Sequence, residues 1–157
     1  QQQDIDQLVE RLTNKPFYNN NTGFLVAFSQ CQIQGYCKVP HEQAVRIISA
    51  GLDNKTITPD LKAEIYKLLA QYYISLAQDF VKGEEFLNDA LKLKNDVGGH
   101  LLLSQTYRLQ GRIADAQHQL NIAQQLDVSH IWLSEISIEQ HNILESTSND
   151  KGKKREN

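Results

Sequence analysis

Between His100 and Val128 the chain reads HLLLSQTYRLQGRIADAQHQLNIAQQLDV, and this stretch limits the possible folds more than any other. Leu103, Ser104 and Tyr107 fall on one helical stripe, Gly111 interrupts it, and Ala116, Leu120 and Ala123 form a second stripe. Two short helices with a glycine turn between them, each with small residues on its inner side, describe a helical hairpin. One such hairpin cannot bury its apolar face alone, so neighbours are expected to stack on it.

The pattern has an echo. Leu69, Ala70 and Tyr73 precede Leu103, Ser104 and Tyr107 by 34 residues each, and Gly83, Leu87 and Ala90 precede Ala116, Leu120 and Ala123 by 33 each. One extra residue in the earlier turn accounts for the slip. The chain is therefore expected to be all-α, built of stacked antiparallel helical hairpins with about seven to eight helices, and without strands. Three Pro and eight Gly in 157 residues agree with few chain breaks.

Helix signals place the remaining elements. Ile5, Leu8, Val9 and Leu12 form a stripe over Gln1–Asn14, and KPFYNNN at Lys15–Asn21 reads as a loop. Phe24, Leu25, Phe28 and Cys31 form the next stripe, which Gly35 ends, and Ala44, Val45, Ile48 and Leu52 follow behind Pro40. Thr58-Pro59-Asp60 is a helix start, with Thr58 as N-cap, for a helix reaching about Leu76. A turn at Gln78–Lys82 leads to Gly83–Leu93, with Glu84 and Glu85 expected in its first turn. Asp127 or Ser129 is expected to cap a final helix with Ile131, Trp132, Leu133, Ile136, Ile143 and Leu144 inward and Glu135, Glu139, Gln140 and Asn142 outward. One domain over 1–145 is expected, with 57–128 the clearest repeats, 129–145 a capping helix and 146–157 a disordered polar and basic tail.

Cys31 and Cys37 are the only cysteines. In one straight helix they would lie about 9 Å apart along the axis, too far for a bridge, but Gln34-Gly35-Tyr36 lets the chain turn back. Three readings stay open: a disulfide in an oxidising compartment, two reduced half-buried thiols, or a redox or metal site. The first would be worth about 2 kcal/mol for so small a loop and points outside the cytoplasm. Reduced cysteines would leave a cytoplasmic location open. The chain contains no Met and is expected to be a piece excised from a longer protein. No apolar run nears the roughly 18 residues of a membrane span, although an upstream membrane segment is compatible with what is here.

The net charge of −3 and the mixing of signs along the chain advertise no nucleic-acid face. The five His are scattered, with no HExxH and no i, i+4 pair, and are expected in surface or capping roles. Glycines fall singly at turns, so no phosphate loop is present, and no catalytic residue, metal or cofactor is expected.

The 33–34-residue spacing, a small residue after Leu, Tyr three positions later, the turn glycine and the recurring Ala resemble the tetratricopeptide repeat. Val128 and Asn95 stand where that family has Pro, and Gly83 where it has the crossing Ala. The resemblance implies a right-handed α-solenoid that binds a protein or peptide on its concave side. It puts Glu64, Lys67, Gln71, Gln105, Arg108 and Trp132 on that side, with Glu135 as a further candidate. More faintly, a paired-cysteine hairpin followed by a tyrosine-rich helix end and one good repeat resembles the periplasmic C-terminal region of bacterial O-antigen polymerase, ligase or O-oligosaccharyltransferase membrane proteins. That resemblance implies an accessory domain attached to an upstream membrane region, assisting assembly or substrate positioning.

Overall fold

A computed structural model describes residues 2–4, 7, 22–36, 38–53 and 55–153. Among the described residues every regular element is helical. The expected loop Lys15–Asn21 and most of the Gln1–Asn14 helix lie outside them, although residues 2–4 and 7 are helical. The helices are α1 (Thr22–Ile33), α2 (His41–Ser49), α3 (Pro59–Tyr72), α4 (Phe80–Leu93), α5 (Val97–Leu109), α6 (Ile113–Leu126) and α7 (Leu133–Lys153). A 3₁₀ turn, Ala50–Asp53, follows α2, and a π-helical turn, Tyr73–Ala77, continues α3. By its internal contacts the chain divides into two compact units, Gln1–Lys94 and Asn95–Asn157. Helical hairpins make mainly local contacts, so the division falls where one hairpin ends and the next begins.

Two glycines end helices in the way the chain pattern demands. At Gly35 (φ 75°) the Tyr36 N–H donates to the Cys31 carbonyl and the Gly35 N–H to the Gln32 carbonyl. At Gly111 (φ 76°) the Arg112 N–H donates to Tyr107 and the Gly111 N–H to Arg108. Both are Schellman caps, which place one residue in the left-handed region that glycine enters without strain. In the second cap the Arg112 guanidinium lies 4.2 Å over the Tyr107 ring, a cation–π contact where an apolar contact usually sits.

In the first unit, α1, α2 and α3 share a core of Leu25, Ala44, Ile47, Ile48, Ile65, Leu68, Leu69 and Tyr72. Thr58 caps α3 as expected, its hydroxyl accepting from the Leu61 N–H at 3.3 Å. Aromatic rings then tie α3 to its neighbours. Phe86 on α4 stacks on Tyr66 and Tyr73, and His41 at the start of α2 stacks on Tyr72, with its Nδ1 3.3 Å from the phenol oxygen. Burial, and after it the neighbouring Tyr73, raises the Tyr72 phenol above its ordinary range.

The echo in the sequence has a structural counterpart. Leu69 and Leu103, Ala70 and Ser104, Tyr73 and Tyr107, Leu87 and Leu120, and Ala90 and Ala123 are all buried, as are Gly83 and Ala116 at the crossings. The extra residue in the first hairpin sits in the π-helical turn, whose wider winding absorbs one residue relative to an α-helix. Gln78, with φ 51°, takes the left-handed position that Gly111 holds in the second hairpin. Asp79 then caps α4, accepting from the Lys82 N–H at 3.1 Å. The helix consequently starts at Phe80, three residues before the expected Gly83, and Glu84 and Glu85 fall beyond its first turn.

Gly83 lies inside α4 because of what faces it. A Cβ there would stand 2.5 Å from Cγ1 and 2.8 Å from Cδ1 of Ile74, with the Ala70 carbonyl oxygen at 3.5 Å. Ile74 belongs to the π turn, so the bulge that absorbs the extra residue also excludes the Ala found at the second crossing. Replacing Gly83 by Ala should gain about 1 kcal/mol of helix propensity and lose about 1–3 kcal/mol to overpacking. The expected result in urea denaturation is a net loss for G83A alone and a net gain for G83A in an I74A background. Stabilisation by G83A alone would show that Ile74 does not confine the crossing.

Candidate functional site

The expected face begins on α3. Glu64, Lys67 and Gln71 recur at i, i+3, i+7 and are all half-buried. Lys67 Nζ lies 2.7 Å from Glu64 Oε1, with the lysine side chain 13% exposed and the glutamate 41%. The two charges neutralise each other one turn apart on α3.

In the second unit, α5 and α6 form the antiparallel hairpin. Ser104 Oγ donates to the Ala116 carbonyl at 2.9 Å, so the two helices meet on small residues. Nearer the start of α5, His100 is buried between two amide oxygens. Its Nδ1 is 2.7 Å from Gln119 Oε1 and its Nε2 2.6 Å from Asn95 Oδ1, joining α5 to α6 and to the residue before the Asp96 cap. His100 thus departs from the surface or capping role expected of the five His. Its partners lie 5 and 19 residues away, in no spacing that a motif would mark.

The largest departure concerns Glu139. Expected on the outer face of the last helix, it is 1% exposed and meets Arg108 in a fork: Nε to Oε1 at 2.8 Å and Nη2 to Oε2 at 3.2 Å. Ile136 and Ile143 flank it on the same stripe, which sets the inner side of α7. Gln140, also expected outside, exchanges two amide hydrogen bonds with Gln117 of α6, at 3.0 and 2.9 Å. Conversely, Ile131, Leu133 and Leu144, expected inward, are exposed. The inner stripe of α7 thus centres on the arginine supplied by α5, and the apolar residues one step around the helix turn outward.

Arg108 also lines a cleft of about 240 Å³ with Gly111, Ile113, Ser146, Asn149 and Asp150. Half of that wall comes from residues expected in a disordered tail. They lie on α7, where the neighbouring hydroxyls are satisfied inside the helix: Ser146, Thr147 and Ser148 donate to the carbonyls of Asn142, Ile143 and Leu144. Residues 154–157 lie outside the described residues. The cleft offers a guanidinium, a carboxylate and an amide within one small space.

Of the expected residues, Glu64, Lys67 and Gln71 belong to the first unit, and Gln105, Arg108 and Trp132 to the second. Gln105 is half-buried on α5, three residues from Arg108. Trp132 is 37% exposed just before α7, its backbone N–H donating to the Asp127 carboxylate at 3.0 Å. Glu135 is exposed in the first turn of α7. Cys31 is half-buried near the end of α1 and is not a free thiol, while Cys37 lies outside the described residues. Among the described residues no three His, Cys, Asp or Glu side chains gather as metal ligands, and no helix is long and apolar enough to cross a membrane. Comparison with protein families, curated proteins and solved structures finds no match to this chain.

The buried fork makes a sharp prediction. R108A leaves the Glu139 carboxylate inside the unit without its partner, at a cost of about 3–5 kcal/mol. The double variant R108M/E139L, which removes both charges and keeps the bulk, should recover most of that loss in chemical denaturation. A double variant no better than R108A would show that the ion pair carries no specific weight.

Proposed function

We propose that the chain is a non-catalytic protein-interaction or scaffold module of tetratricopeptide-like hairpins, serving as an accessory domain of a larger extracytoplasmic protein. The observation that supports this most is the coincidence of two independent features. The residues that repeat at 33–34 positions are the same ones that each hairpin buries at its crossing, and this is what a repeat array requires. Stacked hairpins of this kind recognise a protein segment with half-buried polar side chains on the first helix of each pair. Here Glu64, Lys67 and Gln71 fill that role in one unit, and Gln105 beside the Arg108 cleft in the other.

Arg108 is a poor probe of recognition because its loss also removes the Glu139 partner. Gln105 and Lys67 are better. A protein retained by the wild-type chain in a pull-down should bind at least about tenfold more weakly to Q105R or K67A, a loss of about 1.4 kcal/mol, with the far-ultraviolet circular dichroism of both variants showing the helices intact. Partner binding indifferent to both substitutions would remove this face from the reading.

A Cys31–Cys37 disulfide is part of the proposal, supported by Cys31 not being a free thiol and by the left-handed Gly35 that reverses the chain between the two cysteines. It also favours a second reading, in which the domain is the periplasmic appendage of a membrane glycan polymerase or ligase. Titration of the unfolded, unreduced protein with a thiol reagent is expected to find no free thiol. Two free thiols would sink the extracytoplasmic location in both readings. Membrane-spanning segments encoded upstream of Gln1 would favour the appendage, and their absence would exclude it.

A further inference from the structure

The turn between α6 and α7 carries an apolar surface that the hairpins do not use. Val128 is 84% exposed and Ile131 77%, values that only projecting side chains reach, and Leu126, Trp132 and Leu133 continue the patch at 37–59%. From Val128 to Ser134 the chain holds no Asp, Glu, Lys or Arg. Asp127, which precedes it, is turned inward, 5% exposed, with its carboxylate accepting from the Trp132 backbone N–H, and Glu135 follows it in the first turn of α7.

The turn is also built to hold this shape. His130 sits in the left-handed region (φ 58°), where a residue with a side chain stays only if its surroundings hold it. Most of its backbone donors are bonded locally: Val128 to Leu126, His130 to Asp127, Leu133 to His130, and Trp132 to the Asp127 carboxylate. A tip with most of its backbone donors bonded within the turn gives up fewer hydrogen bonds to water when it enters an apolar surface.

We propose that this turn is a peripheral membrane contact, with Val128 and Ile131 entering the interfacial region of a neutral, zwitterionic lipid surface and Trp132 resting at the headgroup level. Three observations select lipid over a protein groove. The patch is a projecting tip rather than a concave or flat face. It pairs aliphatic side chains with a tryptophan, the residue favoured at membrane interfaces. It has no lysine or arginine to match a charged partner, within a chain of net charge −3, so anionic lipid should add nothing. The turn lies at the opposite end of the α5–α6 hairpin from Arg108, and the inference does not rest on the interaction-module reading.

Trp132 is the only tryptophan, so its fluorescence reports this turn alone. The full chain is titrated with phosphatidylcholine vesicles, with and without bromine-labelled acyl chains, and again with vesicles containing phosphatidylglycerol. The expected result is a saturable blue shift on neutral vesicles, quenched by the brominated lipid and not strengthened by anionic lipid or low salt. V128S and I131S should each weaken partitioning about tenfold while leaving the far-ultraviolet circular dichroism unchanged, since both side chains are exposed. No shift on neutral vesicles overturns the proposal. So does a shift that requires anionic lipid, or one that appears with rising protein concentration before any vesicle is added, which would make the patch a contact between copies.

Discussion

The close approach of two helices at a pair of small residues is the constraint on which each unit depends. At Ala70 and Gly83, and again at Ser104 and Ala116, the side chains are small enough for one helix to lie against the carbonyls of the other. Interhelical distance follows from the bulk at the crossing, so these four positions determine how deeply Leu69, Leu87, Leu103 and Leu120 can interlock. All four leucines are 2% exposed or less. The hairpins differ in how the crossing is reached. The first accommodates one more residue by a π turn and then needs glycine. The second ends in a regular glycine cap and tolerates alanine, with Ser104 turning its hydroxyl onto the facing carbonyl.

Polar contacts finish what small residues begin. In the second unit three separate pairings bind three helices: His100 to Gln119 and Asn95, Gln117 to Gln140, and Arg108 to Glu139. None adds much net stability in the way apolar burial does, because desolvation offsets most of the attraction. Their effect is on uniqueness. A helix with Ile136 and Ile143 inward could rotate by a step and present Leu133 or Leu144 instead. Only one rotation gives the Glu139 carboxylate its arginine, so the ion pair selects the register. That selection leaves apolar side chains outside, and the exposed turn before α7 is part of the same arrangement.

Much of the fold was legible because its signals are local or periodic. The Thr58-Pro59 start and the glycine stops at Gly35 and Gly111 depend on backbone conformations that few residues satisfy, and each stands where the residues called for it. The repeating buried set was legible because a hairpin that recurs must recur in its crossing residues. The helical continuation past Ser146 was not. Serine and threonine compete with the helix backbone in a way that composition reads as a tail, and only their carbonyl partners one turn back reveal otherwise. At the candidate site, the carboxylate that holds Arg108 was not legible in the sequence.

What the residues determine on their own is where helices begin and end, which positions must be small, and that two hairpins of one pattern follow each other. These depend on interactions within about four residues, or on a period that survives without knowledge of the neighbours. What only the tertiary structure decides is the rotation of α7, and with it the burial of Glu139, the use of Arg108 and the outward turn of Val128, Ile131 and Leu133. A glutamate on an amphipathic helix reads as outer surface by default. It moves inside only when another helix brings a guanidinium to the right place, and that partner lies 31 residues away.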